Sequence, residues 1–130
     1  HYTKKYVLSA LYFIRALVFM LFIALPLSPL TVYAFSAAIG FLWLGTVPVT
    51  SGLIAHIFGV KYLATLTGIA FLFHQVGRLF GVWVAGYLFD ATGSYQMAWV
   101  PTIAHGVVAG VINLPIEERP VVRPAAATAA

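Results

Sequence analysis

The sequence predicts an all-α, polytopic membrane protein, and three observations carry that prediction. Hydrophobic residues make up 62% of the chain and charged residues only 8%. A soluble domain carries about a quarter charged residues to keep its surface wet, so lipid must cover the excess apolar side chains. The apolar residues fall into four runs, 6–25, 30–54, 63–89 and 97–116, each long enough to span a hydrocarbon core of about 30 Å as a helix. Finally, Lys4, Lys5, Lys61, Arg119 and Arg123 all lie on one side of those runs, and the connections 26–29 and 90–96 carry no Lys or Arg. This is the positive-inside pattern, and it puts both ends of the chain in the cytoplasm.

The first run starts after a basic loop, residues 1–5, and stops at Pro26-Leu27-Ser28-Pro29. Each of those prolines removes a donor and pushes the preceding residue out of the helical region. A signal peptide is excluded by length and by Arg15, because a cleavable apolar core is shorter and uncharged. The second run contains Gly40, Gly45, Pro48 and Gly52, and Pro48 predicts a kink. Residues 56–62 form the expected connection to the third run, which stops at Asp90-Ala91-Thr92-Gly93 with Gly93 as a left-handed helix end. The fourth run holds Pro101, Asn113 and Pro115, and residues 117–130 form a Pro- and Ala-containing tail expected to be disordered in the cytoplasm. Beginning at His1 on a basic loop, the chain reads as the C-terminal portion of a longer protein, with other helices covering part of its surface.

Several function classes lose support at this stage. The net charge of +4 comes from basic residues scattered at loop ends, with no stripe for nucleic acid; anionic headgroups suit it better. Without Cys there is no disulfide framework or thiolate metal site. The histidines show no i,i+4 pairing of the metal-helix kind, so no metal is expected. Nucleophile elbow, P-loop and paired intramembrane carboxylates are missing, which leaves catalysis and cofactors unsupported.

What remains is a set of polar groups inside apolar runs. Arg15 stands near mid-membrane among Leu8, Leu11, Tyr12, Phe19 and Phe22. A central Arg costs about 2.5–3.5 kcal/mol on insertion scales, so it needs carbonyls, a counter-ion or a water-filled pathway. In the third run His74, Gln75 and Arg78 cluster, and His74 and Arg78 are one turn apart on one face. Thr67, Ala70, Gly77, Gly81 and Ala85 share that face within an arc of roughly 100°. Gly77-x-x-x-Gly81 therefore predicts close helix packing, and Gly106-x-x-x-Gly110 is a weaker motif of the same kind. Arg15 and Arg78 lie within runs while Asp90, Glu117 and Glu118 do not. Two membrane cations without an internal counter-ion call for a transported anion or for carboxylates on other helices.

A family likeness then emerges from longer stretches. They are Ala64-Thr65-Leu66-Thr67-Gly68-Ile69, His74-Gln75-Val76-Gly77 and Trp83-Val84-Ala85-Gly86-Tyr87-Leu88-Phe89-Asp90-Ala91-Thr92-Gly93-Ser94-Tyr95. Thr46-Val47-Pro48, Thr50-Ser51-Gly52, Ile57-Phe58-Gly59 and Pro115-Ile116-Glu117-Glu118-Arg119-Pro120 add to them. Together they resemble the major facilitator superfamily, and within it the bacterial monocarboxylate-transporter and oxalate–formate-antiporter-like branch. The resemblance reaches nearly to Pro120. It implies the last four of twelve helices, an inner-membrane location, and a small organic anion moved by alternating access, with or without a coupled proton. It also makes Arg78 the equivalent of a basic residue that faces the anion in helix eleven. Arg78, His74, Gln75 and Arg15 are then the expected substrate contacts, and the partners are the solute, lipid and the remaining helices. The competing reading is a non-transporting helical subunit or scaffold; Pro48 and the glycines favour transport, because broken, Gly-rich helices line pathways.

The topology has a direct test. Cysteines placed at Ser28 and Ser94 should react with an impermeant thiol reagent added outside intact cells, and one at Thr128 should not. Labelling at Thr128 alone would reverse the orientation.

Overall fold

The computed structural model describes residues 3–121, which are helical with no strand among them. Four helices follow in order: α1 (Lys4–Ala24), α2 (Pro29–Phe58), α3 (Val60–Thr92) and α4 (Gln96–Asn113). By length and composition α1, α2 and α3 can each cross a membrane; α4, 18 residues with Gln96, His105 and Asn113, is not among them. Of the tail expected to be disordered, residues 117–121 are described and bond to α1 and α2 through Glu118 and Val121, and residues 122–130 lie outside the described residues.

Helix ends follow local chemistry. α1 stops where Leu25, the residue before Pro26, takes extended geometry (φ −90°, ψ 148°). α2 starts with a reciprocal capping box: Ser28 Oγ accepts the Thr31 N–H at 3.2 Å, and Thr31 Oγ1 accepts the Ser28 N–H at 2.9 Å. Pro29 follows at the first helical position, where its missing N–H costs nothing.

Several boundaries differ from the sequence expectation, beginning with α1, which starts at Lys4 inside the expected loop 1–5. α2 continues beyond residue 54 to Phe58, and the expected connection 56–62 shrinks to Gly59, whose φ of +83° turns the chain. The physical reason is that an apolar run ends at the edge of the hydrocarbon, whereas a helix ends where the backbone must turn. At its far end α3 runs to Thr92 and stops on Gly93 in the left-handed conformation (φ 69°, ψ 9°), with its N–H on the Phe89 carbonyl at 2.7 Å. α4 stops at Asn113, short of residue 116, because Pro115 has no N–H to extend it.

The helices run up and down, and α1 is the central one. It packs antiparallel against both α2 and α4, while α3 lies mainly along α2. The α1–α4 contact is made by small residues. A Cβ added at Gly106 would stand 3.3 Å from the Ala16 Cβ, and one at Gly110 would stand 3.0 Å from the Phe13 ring. Leu8, Ser9 and Ala16 are buried along the same helix. Near the α1–α2 turn, Phe22 stacks on Phe35 (centroids 4.1 Å apart), and Trp99 of α4 meets Phe19 at 5.5 Å. Offset and edge-on aromatic contacts of this kind add to the area they bury.

α3 is the outlying helix. None of its residues is buried, and Leu72, Leu79 and Val82 are 63%, 70% and 75% exposed, so lipid or other helices must cover it. The close approach expected at Gly77 and Gly81 is not made within the described residues, since a Cβ at either would meet nothing within 4 Å. It is made instead at Gly106 and Gly110, the motif that looked weaker.

These contacts predict a ranking of variants. Gly106→Leu and Gly110→Leu force bulk into a filled interface, where overpacking costs about 1–3 kcal/mol, and should lower the thermal midpoint in detergent. Gly77→Leu, which meets nothing within 4 Å among the described residues, should change the stability of this four-helix unit by less than about 0.5 kcal/mol. A loss at Gly77 as large as at Gly110 would refute the ranking.

Candidate functional site

α1, α2 and α3 enclose a cavity of about 290 Å³ near the middle of their lengths. Tyr12 and Arg15 line it from α1, and Trp43, Thr46, Val47, Thr50 and Ser51 from α2. From α3 come Thr67, Ala70, Phe71, His74 and Arg78. The volume is at the small end of ligand pockets, suited to a solute of a few heavy atoms. α4 contributes nothing to this lining, and neither does any Asp or Glu.

Arg15 is the best-anchored polar group. One guanidinium nitrogen, Nη2, donates to the Thr46 hydroxyl at 2.8 Å and to the Leu42 carbonyl at 3.1 Å. The Thr46 hydroxyl spends its own proton on that same carbonyl at 2.9 Å, which leaves its lone pairs facing Arg15. The guanidinium carbon lies 5.4 Å from the Tyr12 ring centroid and 5.2 Å from that of Trp43. Aromatic faces attract a cation within about 6 Å, so two rings and two oxygens replace its hydration. Arg15 Nε is buried with no hydrogen-bond partner among the described residues, and the rest of the head remains half-buried.

Thr46 and Thr50 flank Pro48. Since Pro48 has no N–H, the carbonyl of Leu44 loses its usual helical donor. Thr50 turns its hydroxyl back to the Thr46 carbonyl at 2.8 Å, as Thr46 does to Leu42. Such back-bonding beside a proline is a recurrent feature of helices that bend. α2 nevertheless remains one continuous helix through this point.

His74 reaches the cavity from α3, edge-on to Trp43 with ring centroids 5.6 Å apart and 6.0 Å from Phe71. Trp43 is thus in reach of both the Arg15 guanidinium and the His74 imidazole. Arg78, one turn further along α3, lines the same cavity, and its Nη1 donates to Gln75 Oε1 at 3.3 Å. Thr67 adds a hydroxyl with no partner among the described residues. His74, Gln75 and Arg78 are exposed, so the cavity is open on its α3 side.

Of the residues singled out from sequence, Arg15, His74 and Arg78 therefore meet around one space. Gln75 stands outside the lining and holds Arg78, while Pro48 sits behind the threonines. A Cβ at Gly77 or Gly81 would meet nothing within 4 Å among the described residues, and Gly106 and Gly110 belong to the α1–α4 contact. Sequence reasoning did not assign Tyr12, Trp43, Thr46 and Thr50 to the site. The available signal was a Thr-x-Pro-x-Thr spacing inside an apolar run, one turn from Trp43.

Comparison with protein-family models, with curated proteins and with solved structures finds no match to this chain.

Removing the Thr46 hydroxyl tests the anchor. Thr46→Val keeps the shape but leaves the guanidinium one acceptor short, and hydrogen bonds to charged groups contribute about 1.5–3 kcal/mol. The thermal midpoint should fall, and Thr46→Ser should largely restore it. Equal midpoints for Thr46→Val and the parent would rule the anchor out.

Proposed function

We propose that this chain forms the last four helices of a twelve-helix major facilitator fold, with α4 as a fourth span, in a secondary transporter for a small organic anion such as a monocarboxylate. One observation carries the reading: two guanidiniums and an imidazole surround a 290 Å³ space whose lining contains no carboxylate. In a membrane such a cluster is unfavourable when empty and is neutralised by a bound anion. A guanidinium suits a carboxylate because its planar fork donates two parallel hydrogen bonds, which an ammonium cannot reproduce. The Thr67 hydroxyl, with no partner among the described residues, can supply a further donor to this space, whereas Thr46 and Thr50 spend their protons on helix carbonyls.

The two arginines have different parts in this scheme. Arg15 is held by α2 and sets a fixed positive wall, whereas Arg78, which among the described residues bonds to Gln75 on its own helix, is free to turn toward the solute. Alternating access requires the walls of the site to separate, and a cavity between a firmly packed pair of helices and a loosely packed third meets that requirement. The cytoplasmic C-terminus is supported by the distribution of Lys and Arg, and the inner-membrane location by the family resemblance.

Uptake into proteoliposomes, normalised to folded protein, tests the assignment in the intact transporter. Arg78→Lys should keep folding and weaken monocarboxylate uptake, and Arg78→Gln should weaken it further, by about tenfold or more for the lost charged pair. Arg15→Gln should reduce the amount of folded protein as well as uptake. Unchanged uptake in all three variants would refute the anion site and favour a non-transporting helical subunit.

A further inference from the structure

The eight residues after α4 cross the end of the bundle that carries Lys4, Lys5 and Lys61, and they bond to two other helices on the way. Glu118 accepts the Lys5 backbone N–H with its carboxylate. Val121 then donates its own N–H to the Ile57 carbonyl at 2.8 Å. The chemistry of each contact matches the helix end it meets. α1 begins without a cap of its own: the Thr3 side chain makes no capping bond, and no acidic residue stands in the first turn. Its first amides carry partial positive charge and lack intrahelical acceptors, so a carboxylate satisfies both needs. The last turn of α2 presents the opposite need, an orphan carbonyl at its negative end, and receives an N–H.

The geometry points to a clamp: residues 114–121 cap α1 and α2 from a segment anchored on α4, and so tie three helices together at the basic end. α3 is outside it. The only covalent link of α3 at that end is Gly59, and no residue of α3 is buried. The clamp therefore fixes the separation of the two cavity walls that carry Arg15 and Thr46. It leaves unset the position of the wall that carries His74 and Arg78. This inference does not depend on which solute is carried.

Hydrogen exchange read by mass spectrometry on the intact protein in lipid nanodiscs tests the clamp. Glu118→Ala should speed exchange in the first turn of α1 by about two- to thirty-fold, the range for losing a helix cap, and Glu118→Gln should partly restore protection because it keeps an acceptor oxygen. The decisive variant is Val121→Pro, which removes the donor to Ile57 and touches nothing on α1. If one strap serves both helices, Val121→Pro should speed exchange at the first turn of α1 as well as at the last turn of α2, with residues 66–78 of α3 unchanged. Unchanged exchange at α1 in Val121→Pro would show two independent caps and overturn the clamp. An equal rise in α3 would also overturn it, by showing general destabilisation in place of a local tie.

Discussion

The structure depends on how a guanidinium is accommodated in an apolar helix. Arg15 has no acidic partner within the membrane-spanning runs, so its charge must be met by neutral groups. Thr46, the Leu42 carbonyl and the rings of Tyr12 and Trp43 do this together, and all but Tyr12 lie on α2. The requirement fixes which face of α2 turns toward α1. With that rotation set, Thr50 and Ser51 must look into the same space as Arg15. A hydrogen bond needed for insertion thereby defines one side of the cavity.

Little else holds the helices together by burial. Among the described residues the buried apolar side chains are Leu8, Ala16, Leu42 and Leu53, too few for a soluble domain of this length. In a bilayer the constraint is different, because lipid is as apolar as leucine and association relies on close backbone approach and polar contacts. The α1–α4 pair uses the first device, with Gly106 on Ala16 and Gly110 on Phe13. The α1–α2 pair uses the second, through Arg15. α3 shows neither among the described residues; its ring contact with α2 is His74 against Trp43 beside the cavity. A helix held this lightly on one side, with large apolar side chains bare on the other, is built to sit against something further.

The site was partly legible in the sequence. Ionisable residues inside apolar runs stand out because each is costly there, which is why Arg15, His74 and Arg78 were recognised. Gln75, their neighbour, was legible for the same reason, but its place beside Arg78 and outside the lining was not. Thr46 and Thr50 are cheap in a helix, since each can bond back to its own backbone, and so they gave no energetic alarm. The two glycine motifs fared differently: Gly106 and Gly110 meet α1, and Gly77 and Gly81 meet no described neighbour. A small-residue stripe shows that a backbone can come near, and it does not say which backbone does.

Composition and pattern alone determined that the chain is helical, that it holds four apolar runs, of which three form helices long and apolar enough to cross a membrane, and that the Lys and Arg of its connections gather at one end. Each of these is a sum over neighbouring residues: apolar length, backbone turning at Pro and Gly, and charge in short connections. Tertiary structure alone decided that Arg15, His74 and Arg78 share a cavity, that Gly106 and Gly110 make the close contact, and that Glu118 caps α1. The physical reason is that a periodicity of 100° per residue assigns residues to a face of their own helix. Which neighbour that face meets, and at what height, is settled only when every helix is packed at once.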